Sequence, residues 1–254
     1  PIPMAVIDAI ASNPDLPVHE DWRQAGSQLA GSWCDVLGDT PNAHEAFMAH
    51  AYAEHIETVA AAGRRKLDVP LFVNAWLDNP PETPGAAEMP TETEDTKVTF
   101  AGGAQPGSYP SGGPLPRVAA IWANAAPTLD MLVPDVYFGD ANHIFSRFRN
   151  SRSRLFVPEM RRSALGVGQM FLAIGEHRAI GAAPFGVDSL NSDDPDNDVL
   201  SDGYALLRQT ALLWERTPDA SARGFLLTEP GESATFGFGD YRATVDTNDP
   251  FGIS

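Results

Sequence analysis

The sequence has almost no cysteine, no long apolar run and half as many basic as acidic residues. Its one cysteine, Cys34, excludes an internal disulfide framework. No apolar run approaches the roughly 18 residues that a membrane-spanning helix needs. The formal charge of −17, from 34 acidic and 17 basic residues, disfavours nucleic acid and anionic membrane surfaces as partners, because both select a basic footprint.

The chain also lacks the motifs that bind nucleotides. Gly166-Val167-Gly168 is the nearest match to a dinucleotide fingerprint, but it has no third glycine and does not directly follow a predicted strand. The glycines of residues 102–113 belong to a long loop that also carries Tyr109 and could cover a site as a lid. They are not a phosphate cradle, since no Lys-Ser or Lys-Thr follows. We therefore predict no cofactor.

Two patterns resemble metal sites without meeting their spacing. His44-Glu45 is followed by His50, six residues after the first histidine instead of four, so a helix would turn the histidines to different faces. Residues 194–198 carry three alternating aspartates, but Val199 occupies the position where a calcium loop needs glycine. We predict no metal site, and a solvated acidic loop at 194–198.

Hydrophobic periodicity and breaker residues predict alternating helices and strands. A capping box is expected at Asn42 and Glu45, followed by an apolar stripe of Met48, Tyr52, Ile56 and Val59 and a stop at Gly63. The other predicted helices are 3–11, 19–30, one carrying Leu115, Val118, Ala119 and Trp122, 141–150, 165–174 and 200–215. The predicted strands are 70–77, 130–137, 154–159 and 179–186.

Four strands that alternate with helices predict an α/β fold with a parallel sheet. A doubly wound sheet and a (β/α)8 barrel both fit this order. The barrel is favoured because all four strands end in polar or aromatic residues, where barrel enzymes place their sites: Asn74, Trp76, Asp135, Tyr137, Glu159, Phe185 and Asp188. Only four of the eight barrel units are expected, in residues 1–216. Residues 217–254 predict the start of a β-rich domain, with short strands at 222–227, 234–237 and 241–245.

The stretch Leu155-Phe156-Val157-Pro158-Glu159-Met160-Arg161-Arg162 is the most informative in the chain. Its apolar residues predict a buried strand that Pro158 ends, because proline has no N–H to donate to a ladder. Glu159 then stands at the strand end beside two arginines, which favour its ionised form. An ionised carboxylate on a rigid strand end suits a nucleophile. A strand-terminating salt bridge is the alternative interpretation of the octapeptide alone.

Six motifs in order give the chain a resemblance to a known family. They are Asn74-Ala75-Trp76-Leu77, residues 106–114 (PGSYPSGGP), Pro134-Asp135-Val136-Tyr137, Phe156-Val157-Pro158-Glu159, residues 175–181 (GEHRAIG) and residues 184–189 (PFGVDS). Over about residues 15–245 the chain resembles bacterial β-galactosidase-like glycoside hydrolases of family 35, which are retaining barrel glycosidases. The likeness is more specific for the family than for the sugar.

The resemblance implies roles for particular residues. Glu159 matches the family's nucleophile on the seventh barrel strand, so the visible strands would be five to eight of a TIM barrel. The acid/base would lie in an Asn-Glu pair, a dipeptide that the sequence does not contain, so we expect the chain to be the C-terminal part of a longer enzyme and inactive alone. Trp76, Tyr137, Asn74, Asp135 and Asp188 are candidate substrate-binding residues, with core packing, second-shell or loop-capping roles as the alternatives. Glu176 and His177 precede the eighth strand and are expected on the opposite face, in a structural role.

The sequence thus predicts a retaining hydrolase that cleaves terminal β-galactosides, with a β-linked galactoside as substrate and the missing barrel half as its partner. One alternative is a non-catalytic carbohydrate-binding or interaction module derived from a glycosidase barrel. Another is a truncated product whose unpaired strand edges would aggregate. The family resemblance hints at periplasmic or extracellular work, and the residues themselves leave localisation open.

Overall fold

The computed structural model describes residues 1–75, 106–107, 111–149, 154–189, 196–216 and 223–247. The protein is a mixed α/β chain that divides into two compact units, Pro1–Pro158 and Glu159–Ser254. Within the described ranges, no helix is both long and apolar enough to cross a membrane.

The first unit contains six helices and two strands among its described residues. They are α1 (Met4–Ala11), α2 (Pro17–Gln24), α3 (Trp33–Leu37), α4 (Pro41–Arg64), β1 (Phe72–Ala75), a 3-10 turn (Pro116–Val118), α5 (Ala119–Ala125), β2 (Met131–Val136) and α6 (Ala141–Arg149). β1 and β2 pair in parallel, with Phe72 opposite Met131 and Ala75 opposite Pro134. All six residues of β2 are buried, as expected for a parallel strand that is covered on both faces.

Two helices begin where proline can serve as the first helical residue. In place of the predicted helix 19–30, the structure has α2 at Pro17–Gln24. The helix begins at Pro17 because the first helical residue needs no N–H partner. It ends before Gly26, whose φ of +91° lies outside the helical region. The predicted capping box at Asn42 is also wrong. Thr40 caps α4 by accepting from the Ala43 N–H at 3.0 Å, with Pro41 next.

Apart from Glu45, the buried residues of α4 are alanines, namely Ala43, Ala46, Ala49, Ala53 and Ala60. Of the predicted apolar stripe, Met48, Tyr52 and Ile56 are half-buried and Val59 is exposed. Small side chains let neighbouring backbone approach α4 closely. At Gly112, an added Cβ would lie 2.5 Å from the Ala49 nitrogen, and the carbonyl of the same glycine accepts the Trp122 indole N–H at 3.0 Å. Leu115, Val118, Ala119 and Trp122, predicted as one apolar stripe, are all buried.

The second unit contains three strands and two helices among its described residues. They are β3 (Glu159–Met160), α7 (Ala164–Gly175), a 3-10 turn (Val187–Ser189), α8 (Asp196–Arg216), β4 (Ser233–Phe238) and β5 (Tyr241–Asp246). β4 and β5 form an antiparallel hairpin, which confirms strands at 234–237 and 241–245. Residues 223–227 form no strand, so that part of the prediction is wrong.

Two predicted strands are shorter than expected or absent. Regular strand in 154–160 is limited to Glu159 and Met160, so Glu159 begins the strand and Pro158 precedes it instead of ending it. Residues 179–186 form no regular strand. Their backbone is held by single bonds instead, from the Ala179 N–H to the Ala173 carbonyl at 2.9 Å and from the Phe185 N–H to the Met160 carbonyl at 3.0 Å. The apolar composition of these residues indicated burial, but it could not predict whether they pair with a neighbouring strand.

Candidate functional site

Two of the predicted site residues meet at the carboxyl ends of β1 and β2. The Asn74 Nδ2–H donates to Asp135 Oδ1 at 2.8 Å. Asp135 is 8% exposed, so this bond satisfies a buried acceptor that would otherwise be costly. Parallel registration produces the contact, because Asn74 lies opposite Val133 and both side chains approach the same end of the pair. Ligands of parallel sheets bind at this end.

The neighbouring aromatic candidates are described only in part. Tyr137 directly follows β2 and is half-buried. Trp76, Tyr109 and most of the predicted lid loop lie outside the described residues. The glycine-rich motif is described at residues 106–107 and 111–114, where Ser111 and Gly112 are buried. That part of the motif packs against α4, as the close approach of Gly112 shows.

The amino ends of the same strands carry a second polar cluster with a structural role. Asp130 accepts the Leu71 N–H at 2.7 Å and pairs with Arg64. Arg64 also donates to the Thr128 carbonyl at 3.1 Å. The hydrogen bond with Asp130 is the main cause that raises the pKa of Arg64. This network fastens the end of α4 to the start of the sheet, opposite the Asn74–Asp135 end.

In the second unit, the segments that carry Glu159 and Asp188 are joined by hydrogen bonds. Glu159 is half-buried in β3, and the next residue, Met160, accepts the Phe185 N–H at 3.0 Å. Arg162 donates through Nη1 to the Gly186 carbonyl at 2.8 Å. Asp188 follows in the 3-10 turn and is exposed. Glu159, the predicted nucleophile, and Asp188, a predicted sugar-binding residue, therefore lie on two segments that contact one another.

Glu176 and His177 occupy a different environment, in keeping with the structural role expected of them. Glu176 forms an ion pair with Arg223 at 2.9 Å and accepts the Gly224 N–H at 3.3 Å. Close backbone packing supports this contact, since a Cβ added to Gly175 would lie 2.9 Å from the Gly224 Cα. His177 is buried.

Two residues of the histidine pattern are engaged with other partners. His44 pairs with Asp39 at 2.6 Å. Glu45 receives two 2.7 Å hydrogen bonds from Arg117. In the part of the chain that the structure describes, no group of three or more histidine, cysteine, aspartate or glutamate side chains could hold a metal ion. Asp194 lies outside that part, while Asp196 and Asp198 lie in the first turn of α8.

Sequence reasoning missed two contacts that organise these regions. It treated Glu45 as a capping or metal-like residue, and its pairing with Arg117, 72 positions away, leaves no local pattern. It assigned Arg162 to the electrostatics of Glu159 and overlooked the carbonyl of Gly186. A glycine with φ +71° at 186 marks a tight turn whose exposed carbonyl needs a donor, and this was the available signal.

Comparison with known proteins gives no assignment. No protein-family model matches the chain, and no curated protein matches it.

Proposed function

We propose that the chain is the C-terminal part of a retaining β-galactosidase-like glycoside hydrolase, with Glu159 as the nucleophile. The observation that carries the proposal is the Asn74–Asp135 pair at the carboxyl end of two parallel strands. Both residues come from motifs of the family that the sequence resembles, and this is the end of a parallel sheet at which α/β enzymes bind ligands. On this proposal the two strands belong to the second half of a (β/α)8 barrel.

The proposed chemistry needs two carboxyl groups about 5 Å apart. Glu159 attacks the anomeric carbon and forms the glycosyl ester as the bond to the leaving oxygen breaks. An acid/base carboxyl protonates that oxygen and later removes a proton from the water that hydrolyses the ester. Because the chain contains no Asn-Glu dipeptide, the proposal places the acid/base on polypeptide outside the 254 residues.

Asp135 and Asn74 have a defined part in this scheme. An ionised carboxylate offers about four lone-pair positions, and the bond from Asn74 occupies one of them. On the proposal, hydroxyl groups of a pyranose are among the donors to Asp135, and Asn74 holds the carboxylate in one orientation. Tyr137, which follows Asp135 at the end of β2, has an aromatic face that suits the apolar C–H face of the sugar.

Hydrolysis of a chromogenic β-galactoside tests the proposal. The assay compares the 254-residue chain with a polypeptide extended upstream, and each with its Glu159→Gln variant. We expect activity only in the longer polypeptide, reduced by about 10⁴-fold or more in the variant, as for removal of other catalytic nucleophiles. Glu176→Gln is the matched control, because it removes a carboxylate that is already paired with Arg223.

Each contrary outcome is informative. Activity in the 254-residue chain would show that the acid has been misplaced and would make Glu176 or a loop carboxylate the suspect. Galactoside binding without hydrolysis in either polypeptide, unchanged by Glu159→Gln, would replace the enzyme with a carbohydrate-binding module.

A further inference from the structure

The turn that carries Asp188 has little regular structure to hold it. Residues 179–186 form no regular strand beyond an isolated bridge at Ala182, and the 3-10 turn at Val187–Ser189 follows. Phe185, Val187 and Asp188 are exposed; Phe185 is 60% exposed. Such a segment is expected to open locally at low free energy unless specific bonds retain it. A loop that must place a ligand-binding carboxylate needs such bonds.

Three hydrogen bonds retain this turn, and two of them come from the segment that follows Glu159. The Phe185 N–H donates to the Met160 carbonyl at 3.0 Å, and the Ser189 N–H donates to the Gly186 carbonyl at 3.0 Å. Arg162 Nη1 donates to the same Gly186 carbonyl at 2.8 Å, in a partly buried position. The Arg162 bond is the only side-chain bond of the three. A charged donor makes a stronger bond than a neutral one.

The backbone of the turn leaves room for this guanidinium. Gly186 has φ +71°, and a Cβ added there would approach Arg162 Nη1 to 3.5 Å. The Gly186 oxygen accepts from both the Ser189 N–H and Arg162, as the two lone pairs of a carbonyl allow. Arginine suits the position because its planar guanidinium presents several N–H donors in a fixed fork.

We infer that Arg162 is a positioning residue that fastens the Phe185–Ser189 turn, and with it Asp188, to the strand that carries Glu159. The inference rests on the proposed function for the role of Asp188, but the fastening itself is a property of the second unit. It assigns to Arg162 a contact with backbone, in addition to any effect of its charge on Glu159.

Hydrogen exchange tests the fastening without reference to activity. Arg162→Met keeps an unbranched aliphatic stem and removes the donor, whereas Arg162→Lys keeps a charged donor. In the 254-residue chain, we expect the Phe185 and Ser189 amides to exchange about tenfold faster in Arg162→Met and at an intermediate rate in Arg162→Lys. Amides of α7 should be unchanged. Arg208→Met, which removes an exposed arginine of α8, should change neither set.

Two exchange results would overturn the inference. Unchanged rates at Phe185 and Ser189 in Arg162→Met would show that the bond does not hold the turn. Equal acceleration throughout α7 would show a general loss of stability in place of a local release.

A double-mutant cycle then tests whether Arg162 acts through Asp188. In the upstream-extended enzyme, Arg162→Met should raise KM about tenfold with little change in kcat, as for loss of uniform binding. In the Asp188→Asn background, Arg162→Met should change KM by less than about twofold, because the residue that Arg162 positions is already altered. Additive effects would contradict the inference. An inactive parent enzyme would refute the proposed function, and the exchange experiment would still decide the fastening.

Discussion

Removing one partner of the Glu45–Arg117 pair should destabilise the first unit more than any other single charge removal in its described part. The carboxylate is 2% exposed and the guanidinium side chain 13%. Both hydrogen bonds, Nε to Oε2 and Nη2 to Oε1, are 2.7 Å long. The pair joins α4 to the 3-10 turn that leads into α5, and it is more deeply buried than the pairs of Arg23 with Glu20 and of Arg64 with Asp68 and Asp130.

The expected size follows from desolvation. When one partner of a buried pair is removed, the other charge stays in a poorly solvated site, which costs about 3–5 kcal/mol. With a urea m-value of about 2–3 kcal/mol/M for a unit of this size, the unfolding midpoint should fall by about 1–2 M. Arg117→Met should reach the upper part of this range, because Glu45 is the more deeply buried partner.

The assay is equilibrium unfolding in urea followed by far-UV circular dichroism, for Glu45→Gln, Arg117→Met and a double variant, Glu45→Met with Arg117→Met. The double variant should recover most of the loss, since apolar replacement of a whole buried pair is often neutral or stabilising. Single variants that cost less than about 1 kcal/mol would refute the reasoning. So would a double variant that is no more stable than Arg117→Met.

Three further predictions concern backbone and pH. Gly112→Ala should destabilise the protein by about 2–5 kcal/mol in the same urea assay, because the φ of +88° is strained for alanine and the new Cβ would overlap the backbone of α4. Gly63→Ala is the control: nothing lies within 4 Å of its Cβ, so it should stabilise by about 0.5–1 kcal/mol. Equal effects at the two sites would contradict the packing argument. Gly166→Ala should displace the Arg161 carbonyl, which would lie 1.8 Å from the new Cβ, and should therefore lower the melting temperature. An unchanged melting temperature would show that the 161–166 turn adapts freely. Backbone N–H groups of Glu229 and Thr228 lower the pKa of Glu232. Its contribution to hairpin stability is therefore present above the unfolded pKa and is lost as pH falls through the folded pKa. An NMR titration midpoint of this carboxyl at or above the ordinary glutamate value of 4.5 would contradict the prediction.

Helix positions were the part of the fold that local pattern predicted best. The predicted helices at 3–11, 141–150 and 165–174 coincide with α1, α6 and α7 within a residue or two, because their apolar periodicity and end signals agree. The strand at 130–137 was likewise confirmed as β2. The strands at 154–159 and 179–186 were overextended, because apolar runs indicate burial but their ladders depend on partners that are distant in sequence.

The candidate site shows the same limit. Strand-end reasoning placed Asn74 and Asp135 at the carboxyl ends of two predicted strands. The parallel register of β1 and β2 then brings them into contact, which the sequence alone did not predict. The same reasoning placed Glu159 at the carboxyl end of its strand, whereas the residue begins β3. Arg162, Glu45 and Arg117 act through partners 24 and 72 residues away. Such pairs are set by tertiary packing and leave no periodicity to read.

Covalent trapping of the proposed nucleophile tests the central claim most directly. The reagent is a 2-fluoro-β-galactoside with a dinitrophenolate leaving group, which departs without an acid catalyst, so that an ester to the nucleophile forms and accumulates. Mass spectrometry of digested protein, from this chain and from the upstream-extended polypeptide, locates the label. We predict one fluorosugar on the peptide that contains Glu159, and none in Glu159→Gln. A label on Glu176 or another carboxylate, or no label in either polypeptide, would contradict the account.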